Sequence, residues 1–203
     1  MKLYYAPGTC SLAVWTALEW LGLDYEVERV KLGSEEYKKV APLGQVPALD
    51  TGDGNIKTQL SAIINYLLET NPDSDLGPDD SAEGRFLFNQ IAAFLTGDYH
   101  PAFKPMFRTQ SFTTSTNDKE LESVKKAAYK QIDRMTKRLD DMLDGREHIY
   151  KDKKTLLDPY AFILATWTED TPKSWEEYPN LAKFMRKMQE DEAIKKVLEE
   201  SSK

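Results

Sequence analysis

The only cysteine of this 203-residue chain, Cys10, lies where a thiol can do chemistry. It follows a Pro7-Gly8 turn and precedes Ser11, whose hydroxyl can cap a helix. A helix start favours negative charge, so this position would lower the pKa of the thiol and enrich the reactive thiolate. The alternative is a buried, inert cysteine that behaves as a small hydrophobic residue. The residues alone leave both interpretations open.

The segments around Cys10 predict a strand, a turn, a helix and a second strand. Residues 2–5 are short and apolar enough for a buried strand, and residues 25–30 alternate as a half-buried strand does. Between them, apolar residues recur at helical spacing, at Leu12, Trp15, Leu18 and Leu21. A crossover helix between consecutive strands predicts that the two strands are parallel.

A hairpin and a helix are predicted to complete the first part of the chain. A third strand at 48–49 leads through a Gly-Asp-Gly turn to a short antiparallel strand at Ile56. The amphipathic stretch 59–68 then predicts a helix, with Thr58 as its N-cap. Residues 72–81 are rich in turn-forming and charged residues, which is typical of a linker.

Beyond the linker only helices are predicted. The helical stretches are 82–107, bent at Gly97 and Pro101, then 118–143, 159–167, 180–189 and 192–199, with a polar loop at 109–117. Thr155 and Asp158 have the side chains of a capping box at the start of the most apolar of them. The sequence therefore predicts an α/β domain at 1–71, a linker at 72–81 and an all-α domain at 82–203.

Composition excludes several functional classes. A net charge of −7 and a pI near 5.0 argue against a nucleic-acid partner. No apolar run is long enough to span a membrane, and one cysteine cannot form an internal disulfide, which fits a cytoplasmic protein. Two distant histidines and one cysteine do not make a metal-ligand set, so no metal is expected.

Four segments together resemble the cytosolic glutathione S-transferase family. They are Tyr4-Tyr5-Ala6-Pro7-Gly8-Thr9-Cys10-Ser11, Gly44-Gln45-Val46-Pro47-Ala48-Leu49, Thr58-Gln59 with Ala62-Ile63 and Tyr66-Leu67, and Thr155 with Asp158. The cysteine in the first turn makes the chain most similar to the bacterial beta class. The resemblance implies a thioredoxin-like N-terminal domain, an all-helical C-terminal domain and a homodimer. It also implies glutathione as co-substrate and a pocket for a small hydrophobic electrophile between the domains.

The resemblance also implies roles for individual residues. Cys10 matches the cysteine that forms a mixed disulfide with glutathione, and His100 matches a histidine that lines the site. Val46, before a cis peptide bond to Pro47, matches the residue whose backbone pairs with the cysteinyl part of glutathione. Thr155 and Asp158 match a folding box and not the active site. The electrophile pocket is expected around residues 99–107 and 160–167.

The remaining glutathione contacts are expected at Ser11, a donor by position, and at the start of the helix that follows Thr58. Gln59 can hydrogen-bond the glutamyl end of glutathione, but Leu60 stands where the family usually has a serine. Losing a hydrogen bond to a charged group costs roughly 1.5–3 kcal/mol, although Ser61 can partly substitute. Ala93 likewise stands where an asparagine is usual.

Two functions follow from these residues. The first is a detoxifying enzyme that conjugates glutathione to small electrophiles or exchanges thiols through Cys10. The alternative, motivated by Leu60 and Ala93, is a transferase-fold binding or regulatory protein with weak or lost catalysis. A glutaredoxin-like reductase is a third, weaker possibility. For His100, the alternative to a catalytic role is a histidine with a local hydrogen bond between the domains.

Overall fold

The computed structural model describes all residues from Met1 to Lys203. The first 58 residues contain the four strands of a mixed sheet. The strands are β1 (Lys2–Tyr5), β2 (Glu26–Arg29), β3 (Ala48–Asp50) and β4 (Ile56–Thr58), arranged in the order β2-β1-β3-β4. Strand β1 is parallel to β2 and antiparallel to β3, and β3 is antiparallel to β4. The predicted parallel pair and the predicted hairpin are therefore confirmed.

Two helices accompany the sheet, α1 (Ser11–Trp20) and α2 (Leu60–Thr70). The first eight residues of α1 are all buried, because the helix packs against α2 and β1 and also against helices of the second half of the chain. A helix that is apolar on every side is stable only when it is enclosed in this way. A short 3₁₀ turn, Tyr37–Lys39, lies between β2 and β3, and the Ser34 hydroxyl accepts from the Tyr37 N–H at 3.2 Å.

Both predicted N-caps in this half are wrong. Ser11 is the first residue of α1, the cap position is Cys10, and no side chain caps the helix. Thr58 is the last residue of β4, and Gln59, with φ 68°, occupies the cap position of α2, again without a side-chain cap. Each hydroxyl residue lies one position away from the place where it would reach the free N–H groups.

The second half of the chain is helical. Its helices are α3 (Ala82–Ala93), a π-helix (Phe94–Tyr99), α4 (His100–Ala102), α5 (Lys104–Phe107), α6 (Asp118–Met142), α7 (Asp158–Thr166), α8 (Pro179–Glu190) and α9 (Glu192–Ser201). Gly97 lies in the π-helix and Pro101 in α4, so the predicted long helix is interrupted near both. The predicted loop at 109–117 begins instead as a 3₁₀ helix, Thr109–Phe112. No helix is long and apolar enough to cross a lipid bilayer.

A buried carboxylate organises the start of α7. Asp158 is fully buried and accepts hydrogen bonds from the backbone N–H groups of Thr155 at 2.8 Å and Ile149 at 3.0 Å. His148 Nδ1 lies 3.2 Å from the same carboxylate. The Thr155 hydroxyl is buried without any partner, so the predicted capping box forms only on the aspartate side.

One hydrophobic core of 43 buried residues spans both halves of the chain. Helix α1 packs on α7 and α9, and Trp20 Nε1 donates to Asp191, the N-cap of α9, at 2.9 Å. The predicted succession of an α/β part and an all-α part is confirmed. The boundaries at 71 and 82 stay a prediction.

Candidate functional site

A cleft of about 940 Å³ lies between the two halves of the chain. One wall is formed by the turn before α1, the loop before β3 and the start of α2. The other wall is formed by α4, α5, Tyr160 near the start of α7 and Trp167 directly after that helix. Six of the seven predicted site residues line this cleft, namely Cys10, Val46, Pro47, Gln59, Leu60 and His100.

Cys10 borders the cleft but is nearly enclosed. The residue is 6% exposed, and its Sγ lies 3.6 Å from the Val46 carbonyl oxygen, to which the thiol donates. Burial raises the pKa of the thiol to about 12. The predicted lowering of this pKa is therefore wrong, because the loss of water around the sulfur outweighs the favourable backbone at the helix start. At neutral pH the group is a thiol and not a thiolate.

Ser11 is the one predicted site residue that does not line the cleft. Its side chain is fully buried, and its hydroxyl bonds inside the turn, to the Ala6 N–H at 3.3 Å and the Thr9 hydroxyl at 2.7 Å. Thr9, which precedes Cys10, lines the cleft instead. The serine thus stabilises the turn that holds Cys10 and does not present its hydroxyl to a ligand.

The Val46–Pro47 peptide bond is cis, which confirms the geometry implied by the sequence motif. The Val46 carbonyl accepts from Cys10, whereas the Val46 N–H donates to no other group of the protein. An unpaired backbone N–H beside a cleft can pair with an extended peptide, as an added strand does. Pro47 directly precedes β3, so this segment is anchored to the sheet.

The start of α2 supplies the second polar feature of the same wall. No side chain caps this helix, so the N–H groups of its first turn are available at the positive end of the helix dipole. Leu60 is 6% exposed and belongs to the core, with its remaining surface on the cleft. Ser61 and Gln59 also line the cleft, and neither side chain has a hydrogen-bond partner within the protein.

His100 is held on the opposite wall by Tyr160. Its Nδ1 lies 2.8 Å from the Tyr160 hydroxyl, which itself donates to the Leu95 carbonyl at 3.4 Å. The hydroxyl has one proton, and when it donates that proton to Leu95, Nδ1 is the donor to Tyr160 and Nε2 is left as an acceptor. Burial, and to a smaller extent the nearby charge of Lys104, lower the pKa of His100 to about 4. The imidazole is therefore neutral at pH 7.

An aromatic cluster forms the rest of this wall. Trp167 packs edge-on against His100, with ring centroids 5.0 Å apart, and against Phe103 and Phe107, at 5.3 Å each. Its Nε1 donates to the Gly8 carbonyl at 2.8 Å, which ties the end of α7 to the turn before Cys10. The sequence indicated this wall only as two broad ranges, and the pairing of Trp167 with Gly8 has no sequence signal.

Lys104 and Arg108 also line the cleft. Lys104 lies in the range 99–107 that was expected to form the electrophile pocket but was not singled out, and Arg108 lies just outside that range. No group of three or more His, Cys, Asp or Glu side chains converges in the structure.

Two family descriptions match the chain over most of its length. "Glutathione S-transferase, N-terminal domain" matches residues 8–70, and "Glutathione S-transferase, C-terminal domain" matches residues 103–201. Among relatives, glutathione S-transferase GST-4.5 of Xanthomonas campestris is 31% identical over 202 residues, which cover 98% of both chains. Glutathione S-transferase GstA of Escherichia coli O157:H7 is 28% identical over 204 residues, covering 98% of this chain and 97% of the relative.

Solved structures give the same result. A sphingomonad glutathione S-transferase complexed with glutathione superposes with a TM-score of 0.86 at 30% identity, covering 100% of this chain and 99% of the other. A bacterial beta-class glutathione S-transferase of Sphingomonas chungbukensis superposes with a TM-score of 0.86 at 28% identity, covering 99% and 98%. The expected thioredoxin-like domain followed by a helical domain, and the resemblance to bacterial beta-class proteins, are thereby confirmed. The chain belongs to the glutathione S-transferase family.

Proposed function

We propose that this protein is a glutathione transferase that binds glutathione in the cleft and conjugates it to small electrophiles. The observation that carries the proposal is the convergence of an unpaired Val46 N–H, an uncapped start of α2 and a neutral His100 on one cleft. These groups have the polarity that an extended tripeptide with an anionic end requires. The family of the chain supplies the identity of the tripeptide.

The glutamyl end of glutathione would lie at the start of α2. The positive end of the helix dipole favours its carboxylate, and the Gln59 and Ser61 side chains are free to hydrogen-bond it. The cysteinyl backbone would pair with the Val46 N–H. This placement directs the substrate thiol toward Cys10 and His100, which face each other across the same cleft.

The reaction requires the glutathione thiol to lose its proton before it attacks. In the tautomer with its proton on Nδ1, the neutral His100 imidazole has a free Nε2 acceptor that can take this proton, directly or through water. The positive end of the α1 dipole, beside Thr9 and Cys10, favours the resulting thiolate. The thiolate then forms a carbon–sulfur bond to the electrophile.

Conjugation is better supported than thiol exchange through Cys10. Exchange begins with a protein thiolate, and burial keeps the pKa of Cys10 at about 12. The Cys10 thiol, which donates to the Val46 carbonyl, instead serves to hold the segment that would pair with glutathione.

The test combines binding with turnover. Purified protein is titrated with glutathione by calorimetry and assayed with 1-chloro-2,4-dinitrobenzene. We expect saturable glutathione binding and catalysed conjugation that persists in Cys10→Ala. His100→Gln, which is neutral like the native ring but a weaker base, is expected to lower kcat by about tenfold to a hundredfold. A protein that neither binds glutathione nor accelerates the reaction would refute the proposal.

The second candidate function, a binding or regulatory protein, is favoured by Leu60. Its side chain packs in the core and offers no hydroxyl to the glutamyl carboxylate. Under this alternative glutathione binds weakly or not at all, although the fold is intact. Ser61→Ala separates the two: a tenfold loss of glutathione affinity indicates that Ser61 replaces the missing hydroxyl, and no loss favours the second candidate.

We also propose that the protein forms a homodimer, as the family resemblance implies. Sedimentation equilibrium is expected to give twice the chain mass of 23.2 kDa. A monomer at micromolar concentration would contradict this. The cytoplasmic location expected from the single cysteine stays a prediction.

A further inference from the structure

The cleft carries positive charge without any acidic residue. Its lining includes Lys104 and Arg108 but no Asp or Glu, although the chain as a whole has a net charge of −7. The Arg108 N–H donates to the Lys104 carbonyl at 2.9 Å across one helical turn, so both residues rise from the same short helix end. Neither side chain takes part in an ion pair or a hydrogen bond within the protein.

Exposed apolar side chains frame these two cations. Leu32 and Leu43 line the wall before β3, and Phe107 and Phe112 line the wall of α5 and the turn after it. The four are between 41% and 70% exposed. They account for most of the large apolar side chains that the protein leaves open to water, and they lie on both sides of one cleft. A concentration of this kind marks a surface that a ligand covers.

The aromatic part of this frame suits a flat ligand. Phe107 and Trp167 both line the cleft beside His100 and contact each other edge-on, with ring centroids 5.3 Å apart. Because His100 is neutral at pH 7, the charge of the cleft comes from Lys104 and Arg108. A ligand that fills the cleft displaces water and strengthens its attraction to both cations.

We propose that the electrophile accepted by this cleft carries an anionic group, such as a carboxylate, on a flat apolar or aromatic body. The anionic group contacts Lys104 and Arg108, and the body lies between the leucine pair and the phenylalanine pair. This substrate class rests on the proposed conjugating function. For an aryl halide, the glutathione thiolate forms the carbon–sulfur bond, the carbon–chlorine bond breaks, and chloride leaves with the bonding electrons. The thiol proton passes to His100 or to solvent.

Binding of unreactive probes tests the charge directly. Calorimetry compares 3,5-dinitrobenzoate with 3,5-dinitrobenzamide, which share a body and differ in charge. We expect the native protein to bind the benzoate about tenfold more tightly than the amide. This factor is smaller than for a buried ion pair, because the two cations face solvent. The double variant Lys104→Gln/Arg108→Gln is expected to lose this preference. High salt is expected to weaken it in the native protein.

Lys183→Gln is the matched control, since Lys183 is an exposed, unpaired lysine of α8 that does not line the cleft. It removes one positive charge and is expected to leave the preference unchanged. A loss of preference in Lys183→Gln as large as that in the double variant would show that only net charge matters, and would overturn the inference.

Turnover separates this inference from the proposed function. The reactive probes are 4-chloro-3,5-dinitrobenzoate and its amide, each rate being divided by the uncatalysed rate with glutathione. Catalysis of the amide without preference for the benzoate overturns the inference and leaves conjugation standing. Preferential binding of the benzoate without catalysis of either probe supports the anionic ligand and refutes conjugation. If the double variant weakens the binding of glutathione as much as it weakens the binding of the benzoate, the two cations bind glutathione itself and the inference is wrong.

Discussion

Two helix starts in this protein are built in opposite ways. Helix α7 begins at Asp158, whose buried carboxylate accepts from two backbone N–H groups and contacts His148. Helix α2 begins after Gln59 with no side-chain cap, and the N–H groups of Leu60, Ser61 and Ala62 donate to no group of the protein. The first start is closed by the protein's own groups, whereas the second opens on the cleft.

The difference separates a fold-forming start from a ligand-binding one. At α7 the donors are satisfied internally, so breaking their contacts costs stability and leaves nothing for a ligand. At α2 the free donors contribute less to folding but can hold a negative group. Backbone N–H groups that lack a partner in the folded chain therefore indicate where a ligand can bind.

The largest expected effect concerns whether the start of α1 activates the sulfur of Cys10. With a pKa of about 12, the thiolate of Cys10 at pH 8 is about a thousandfold scarcer than that of an ordinary thiol. We expect iodoacetamide to alkylate native Cys10 a hundredfold to a thousandfold more slowly than the same residue in the unfolded chain. Mass spectrometry of timed samples measures both rates.

The unfolded chain in guanidinium is the control, because it removes burial and keeps the residue. Equal rates in the two states would mean that the sulfur faces the cleft as a free thiolate. That result would make thiol exchange through Cys10 the better supported reaction, and it would show that burial does not keep this thiol protonated.

The next largest effect tests the closed start. Asp158→Asn replaces a carboxylate that accepts from backbone donors by an amide that presents its own N–H groups to them. We expect the free energy of unfolding to fall by about 3 kcal/mol, the usual cost of breaking a buried charged hydrogen-bond network. Urea denaturation followed by circular dichroism measures it.

Asp144→Asn provides the matched control, since Asp144 is exposed and its side chain makes no hydrogen bond. We expect this change to stay within about 0.5 kcal/mol of the native stability. If Asp158→Asn were equally mild, the start of α7 would not be held by its carboxylate, and the comparison between closed and open starts would fail.

The sequence predicted those features that depend on pattern. Alternation and helical spacing predicted the mixed sheet and the helices that follow it, whereas the cis bond before Pro47 was implied only by the family resemblance of the Gly44–Leu49 segment. Features that depend on the surroundings were not predicted. The pKa of Cys10 rises because α1 is enclosed by helices from the distant second half, and no local residue encodes that burial.

Errors in the capping residues have a related cause. Ser11 and Thr58 are good N-cap types, but the Ser11 hydroxyl bonds inside its turn and Thr58 pairs in β4. A local rule ranks residue types, whereas tertiary contacts decide which position starts the helix. Lys104 and Arg108 were missed for the same reason, because their isolation from acidic partners is visible only in three dimensions.

A smaller effect tests whether the His100 imidazole stays neutral on the helical wall of the cleft. Unfolded histidine takes up a proton near pH 6.5, but His100 in the folded protein does so only near pH 4. The unfolded state therefore binds more protons between these values, and the native state loses stability as the pH falls through this range. From pH 7 to pH 5 the loss due to His100 is about 2 kcal/mol.

Urea denaturation at the two pH values measures this loss, with His100→Gln as the comparison. The glutamine does not titrate and can keep a hydrogen bond to Tyr160. We expect the variant to lose about 2 kcal/mol less than the native protein over this pH range. Identical losses would mean that His100 titrates normally and carries a proton in part of the neutral range.

The smallest effect is expected at the Thr155 hydroxyl, which makes no hydrogen bond at the start of α7. Thr155→Val removes the buried Oγ1 that lacks a partner and keeps both the side-chain shape and the backbone N–H that donates to Asp158. Replacing an unsatisfied buried hydroxyl by a methyl group is expected to be neutral or to stabilise the protein by up to about 1 kcal/mol. Thermal unfolding of the two proteins, with Asp158→Asn as the disruptive reference, measures the difference. A loss of stability above about 1 kcal/mol would show that the hydroxyl is bonded after all, and that α7 is closed by a complete capping box and not by its aspartate alone.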